Sequence, residues 1–244
     1  MDKANFLTSK KFAAIALAMG IMGGALKLIA IFTYENHLSR EYPALLSGWN
    51  NLAFFTYTTN ILVDFWLLFL ALSILFNIGG VTNFLTRASV QGFVTVMIFT
   101  VGFMYCGVLF WFDELYSRGL WWGNFVTFWH HAVTPAFMVF LFFRPADRTK
   151  LSTKSLLLWL LYPLAYLGFT MARGAKIAWH PYPFLNLEWE MFADFNLAPG
   201  LGVALSIAFL FLFILSVSFL AVKIHNRIAG KQSGDTTKQQ GARK

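Results

Sequence analysis

Six apolar runs of about 20 residues, separated by short polar stretches, leave this chain little choice of fold. They extend roughly from Phe12 to Thr33, Leu52 to Ile78, Gln91 to Trp111, Trp121 to Phe143, Ser155 to Ala172 and Pro199 to Val222. As a helix, each run is long enough to cross a hydrocarbon core of about 30 Å. In that medium every backbone N–H and C=O has to be satisfied internally, so such runs must be helical. The expectation is an all-α polytopic membrane protein: a short N-terminus over 1–11, six transmembrane helices over 12–222 and a polar, basic, disordered tail over 223–244. The first run is longer than the roughly 7–15 apolar residues of a signal peptide and lacks a small-x-small cleavage site, so it is read as a span.

Charge is scarce, at 12% of residues, and its placement carries the orientation. Fourteen lysines and arginines fall in the N-terminus, the loops after the second and fourth spans and the tail, against four in the other three loops. The positive-inside rule then places both termini in the cytoplasm. The net charge of +8 is mostly this topology signal. The tail suits contact with anionic membrane lipid, whereas charges so few and scattered do not make a nucleic-acid surface. Cys106 is the only cysteine, which excludes an intrachain disulfide and a cysteine metal cluster. No dinucleotide fingerprint, phosphate loop or metalloprotease helix occurs, so no cofactor and no metal is expected. Asp113 and Glu114, in the loop after the third span, read as solvated.

Polar residues inside the runs are the candidates for function, because hydrocarbon penalises them unless they have partners. Lys27 lies in the outer half of the first span and either snorkels or pairs with an acid. Thr56, Asn60 and Asp64 follow at i, i+4 and i+8 on the second span, with Thr59 beside them, and Asp64 is the only carboxylate within any run. The fourth span carries His130 and His131 near its middle, with Pro135 after them. Asn124, Thr127, His131 and Thr134 form one polar stripe, which favours His131 as the inward ring. Pro135 deprives the His131 carbonyl of its usual helical donor and is expected to kink the span. On the fifth span Tyr166 and Arg173 lie along a stripe suited to an anionic head group. The loop WHPYPFLNLEWEMF reads as an ordered lid on the outer surface. A threonine hydroxyl becomes a nucleophile when a base takes its proton, and neutral histidine is the usual base near pH 7. Spacing does not choose between Thr56 and Thr59.

Three motifs in order, FFTYTTN opening the second span, HHAVTP in the fourth and the loop pattern Trp179, Tyr182, Pro183, Phe184, Leu185, resemble the androgen-induced-gene (ADTRP) family of six-helix membrane hydrolases. The likeness is closest to its bacterial branch, the Pr6Pr membrane proteins. The resemblance implies an intramembrane hydrolase of fatty-acyl esters, with Thr56 as nucleophile and His131 or His130 as base. It also implies a bacterial inner membrane as the location and a lipid ester as the partner. For such chemistry the embedded residues suggest Asn60 or a backbone amide for the oxyanion, Asp64 to orient the histidine, and Arg173, Tyr166 and Lys27 for substrate, in a cavity between the second, fourth and fifth spans. The other class the residues allow is a small transporter or lipid-binding protein in which Lys27, Asp64 and His131 relay a proton or ion.

Overall fold

The computed structural model describes residues 3–33, 48–107, 121–188 and 190–241, with side chains over 6–30, 50–107, 125–188 and 192–230. Asp113, Glu114 and the side chain of Asn124 lie outside them. Six helices are long and apolar enough to span a membrane. Span one is Lys10–Thr33, span two Phe55–Leu75, span three Ala88–Gly107, span five Thr153–Ile177 and span six Pro199–Gly241. Span four is built of Trp121–Phe128, a π-helical turn Trp129–Val133 and Thr134–Phe142. The protein is thus an all-α integral membrane protein, with no strand among the described residues.

Two cores meet at span three. Phe12 and Ala16 of span one, Leu67 and Leu70 of span two, Ile98 of span three and Met138 and Leu141 of span four form the first. Val96 and Met97 of span three, Trp159 of span five and Ile214 and Ala221 of span six belong to the second. Small residues set the closest approaches, as packing in lipid requires. A Cβ at Gly20 would stand 2.8 Å from Leu68 Cγ, and one at Gly92 would stand 2.8 Å from the Trp159 ring. On the outside, Ile21, Phe65, Phe69, Leu157, Leu161 and Phe209 are all exposed, a coverage that only lipid tolerates.

The sequence expectations need three corrections here. Span five continues past Ala172 to Ile177, which keeps Arg173 on the helix that carries Tyr166, and the helix closes where Ala178 takes a left-handed conformation, φ 52°. Span six does not give way to a tail at Val222 but continues as helix to Gly241. His225 and Ala229 are buried, because residues 223–230 still have neighbours to pack on: His225 Nε2 donates to Thr149 O at 3.0 Å, and Asn226 exchanges two hydrogen bonds with the Leu151 backbone, at 2.8 and 3.0 Å. Finally, Pro135 widens span four as well as interrupting it. The Thr134 amide reaches back five residues to Trp129 O, and the freed His131 carbonyl accepts from Cys106 Sγ at 3.5 Å. Cys106 therefore acts as a donor to the bulge.

Candidate functional site

An apolar cavity of about 130 Å³ lies among spans two, three, five and six. Phe55 and Thr56 form one wall, Thr100, Met104 and Tyr105 a second, Tyr166 and Leu167 a third, and Leu210, Phe211 and Ile214 a fourth. Tyr182, Phe184 and Leu185 of the loop after span five close one end. This loop, expected to lie on the surface, instead reaches into the cavity wall: Leu185 is buried, and Tyr182 meets Phe54 edge to face with centroids 5.6 Å apart. An apolar cavity near 150 Å³ holds a ring the size of benzene, so this one accommodates a short stretch of acyl chain.

The polar atoms around the cavity are hydroxyls, and most are committed. Tyr166 donates to Ala53 O at 2.7 Å and Thr100 to Val96 O at 2.9 Å. Thr59 is fully buried beside Tyr162, 3.2 Å between hydroxyl oxygens. Because Tyr162 donates to Thr58 Oγ1 at 3.0 Å, and Thr58 donates to Phe55 O at 3.1 Å, the Thr59 proton points to Tyr162. Thr59 is thus tied into a one-way chain of hydroxyls and does not line the cavity. Thr56 does line it. The Tyr182 hydroxyl bonds with the Thr56 side chain and with the first amides of span two, donors that the start of a helix leaves free. Burial pushes the Tyr182 phenol up to about 12, and the Thr56 and Phe55 contacts only partly offset it, so Tyr182 stays a neutral hydroxyl near pH 7.

The stripe Thr56, Asn60, Asp64 does not face one neighbour. Each step of four residues overshoots a helical turn by about 40°, so Asp64 is rotated about 80° from Thr56. Thr56 faces the cavity, while the Asp64 carboxylate lies against Gly23 of span one, where a Cβ would overlap it. Asn60 is fully buried; its amide donates back to Thr56 O at 2.8 Å and its Oδ1 has no partner. The expected oxyanion role would need that amide turned away from the helix.

The histidines also part company, and the more buried ring is His130. It bridges Val126 O at 2.9 Å and Gly23 O at 3.2 Å, fastening span four to span one. Both ring nitrogens face carbonyl oxygens and a neutral imidazole donates to only one of them, so the lone pair of the other nitrogen is turned onto a carbonyl and away from the cavity. The π turn shifts the register on which His131 was expected to be the inward ring. His131 is half-buried, with its ring 4.0 Å from that of Tyr105. Its Nδ1 faces Thr127 O at 2.9 Å and must carry the hydrogen, which leaves Nε2 as the lone-pair nitrogen. Tyr105, on the cavity wall, lies against His131, and no described contact joins His131 to Thr56. Neither ring bonds to Asp64, so the expected orienting role is not seen. The cavity consequently sits beside span three, without span four in its wall.

Of the expected substrate contacts, Tyr166 lines the cavity and Lys27 does not. Lys27 is buried with Nζ 4.2 Å from the centroid of the Tyr57 ring. Arg173 donates to Asn50 Oδ1 at 2.8 Å and stacks over Trp179 at 5.2 Å, while its Nη1 is buried without a partner. Sequence reading gave Tyr105 and Tyr182 no place at the site: one was a tyrosine within an apolar run and the other part of a proline-flanked aromatic loop. Among the described residues no group of three or more His, Cys, Asp or Glu is placed to hold a metal. Fold and cavity define the class, a polytopic α-helical membrane protein with an apolar cavity among its helices. Comparison with protein-family models, curated proteins and solved structures returns no match.

Proposed function

We propose that this integral membrane protein binds the acyl chain of a lipid or fatty-acyl ester in the cavity between spans two, three, five and six. The observation that carries the reading is the lining: hydrocarbon and aromatic side chains, with hydroxyls as the polar groups. Arg173 stands seven residues beyond Tyr166 on span five, about 10 Å along the helix, so its unpartnered Nη1 suits the anionic end of such a ligand. By the distribution of lysine and arginine both termini are cytoplasmic, which puts the cavity, lined by the loop after span five, in the outer half of a membrane that we take to be of the bacterial inner type.

Tryptophan in place of Leu167 or Leu210 fills the cavity. It is expected to weaken binding of a fluorescent long-chain fatty acid to the protein in lipid nanodiscs at least about tenfold, the loss of roughly two buried methylenes. Tryptophan at the lipid-facing Leu161 is expected to change nothing, and equal binding by all three variants would reject the cavity as the site.

A second reading, hydrolysis, is favoured by the place of Thr56 on the wall and the free Nε2 of His131. In it the Tyr105 ring turns aside, Thr56 Oγ1 attacks the ester carbonyl and its proton passes to His131. The alcohol leaves with that proton, and water then releases the acid from the acyl-threonine. Thr56→Ala is expected to retain binding and lose turnover by about 100-fold or more. Unchanged turnover would remove Thr56 as the nucleophile, and no turnover by the unaltered protein would leave a binding protein.

A further inference from the structure

A second polar site lies away from the acyl cavity, between spans one, two and four. Asp64 is 5% exposed and its Oδ2 accepts no hydrogen bond. A bare carboxylate oxygen in hydrocarbon is among the costliest groups a membrane helix can carry, and an intramembrane ionisable residue without a structural bond is a functional candidate. The acid is also built in. Gly23 leaves the space it fills, since any Cβ there would overlap the carboxylate, and the Gly23 carbonyl is held by His130 Nε2. Nearby on the same face of span two, Asn60 Oδ1 is a second fully buried acceptor without a partner.

The charged and titratable groups around it are few. From span one Lys27 acts on Asp64, although its ammonium is held over Tyr57, one of span two's own residues. From span four, His130 Nε2 reaches Gly23 O at 3.2 Å, and His131 packs on Tyr105. Span three meets span two through Val94, Ile98 and Val101, none of which titrates. From span five Tyr162 reaches Thr58 and Thr59, between one and two turns nearer the start of span two. The short helix Gly79–Leu85 has no titratable side chain.

We propose that Asp64 is a membrane-embedded proton site, taking up and releasing one proton with Lys27 as the charge that compensates its anionic form. With the proton on, Oδ2 is a neutral hydroxyl or carbonyl and needs no counter-ion. With the proton off, the Lys27 ammonium is the cation, among the described residues, that can leave the Tyr57 face and approach it. The site shares no residue with the acyl cavity, and its failure would leave the reading of that cavity untouched.

Dicyclohexylcarbodiimide, an apolar reagent that couples to protonated carboxyls inside membranes, tests this on the intact protein in lipid vesicles. Mass mapping is expected to find the adduct on Asp64, falling at least tenfold between about pH 5 and about pH 9. Lys27→Met, which removes the compensating charge, is expected to carry labelling to higher pH, because a positive neighbour favours the carboxylate. Infrared difference spectra over the same pH range supply a readout independent of reagent access: a protonated-carboxyl C=O band that fades as pH rises and is missing in Asp64→Asn. A pH-independent band, or none assignable to Asp64, would overturn the proposal. So would protection from labelling by sodium chloride but not choline chloride at fixed pH, which would make the site a cation site.

Discussion

A single hydrogen atom on Gly102 sets how closely spans three and four approach. A Cβ there would stand 2.8 Å from two carbons of the Pro135 ring and 2.9 Å from the His131 carbonyl oxygen. Neither is the loose end of a side chain, so neither can yield without moving the π turn. Gly102→Ala is therefore expected to destabilise the protein by about 1–3 kcal/mol, the usual cost of overfilling a packed interface. It should also part Cys106 Sγ from the His131 carbonyl. Thermal unfolding in detergent measures the first effect, and a faster reaction of Cys106 with a thiol reagent reports the second. An unchanged midpoint would mean that the two spans separate more freely than the packing implies. At the same scale, Tyr182→Phe removes the hydroxyl that meets Thr56 and the start of span two while keeping the aromatic wall. If Thr56 reacts, this variant should alter turnover without altering acyl binding; if the cavity only binds, neither should move.

Among the elements, the loop between spans four and five is tied to the head of span three by one carboxylate. Asp147 accepts from the Ala88 amide at the head of span three and from the Thr149 amide, both at 2.9 Å, and from the Thr149 hydroxyl at 3.1 Å. Partial burial opposes its charge, but these bonds and the nearby His225 outweigh that and hold the carboxyl below its usual range. Since the folded value is lowered, the stabilisation is complete above the unfolded carboxylate's value of about 4 and is lost as pH falls through the lower folded one. Asp147→Asn should flatten this acid limb, costing about 1 kcal/mol at neutral pH as the helix head loses its anion; midpoints recorded from neutral to acid pH test it. Nothing in a hydropathy pattern marks Asp147, His225 or Asn226, because their partners are backbone groups distant in sequence. The spans themselves were legible, since length and apolarity alone force a helix in lipid. What failed was the rotation. Thr56 and Asp64 read as one stripe but face different neighbours through accumulated drift of the helix. His131 was read as the inward ring because a regular helix was assumed across a turn that Pro135 widens.

On the scale of the whole molecule, the bundle has two unlike ends. One is bolted by polar bonds: Asp147 to spans three and five's leading loop, His225 and Asn226 of span six to Thr149 and Leu151. The other is covered by rings: Tyr182, which lines the cavity, packs on Phe54, and Phe54 on Trp179. Basic residues gather at the bolted end, where Arg144, Arg148, Lys150 and Lys154 fall, and interfacial aromatics at the other, which is the asymmetry expected of a cytoplasmic and an outer face. The single native cysteine makes this directly testable. In a Cys106→Ala background, Glu188→Cys in the aromatic lid is expected to react with a membrane-impermeant maleimide in intact bacterial cells. Lys150→Cys at the bolted end is expected to react only after permeabilisation. The reverse pattern would invert the protein and put the acyl cavity in the cytoplasmic half, where a ligand would have to arrive from the inner leaflet; labelling of both in intact cells would mean that the chain has no fixed orientation.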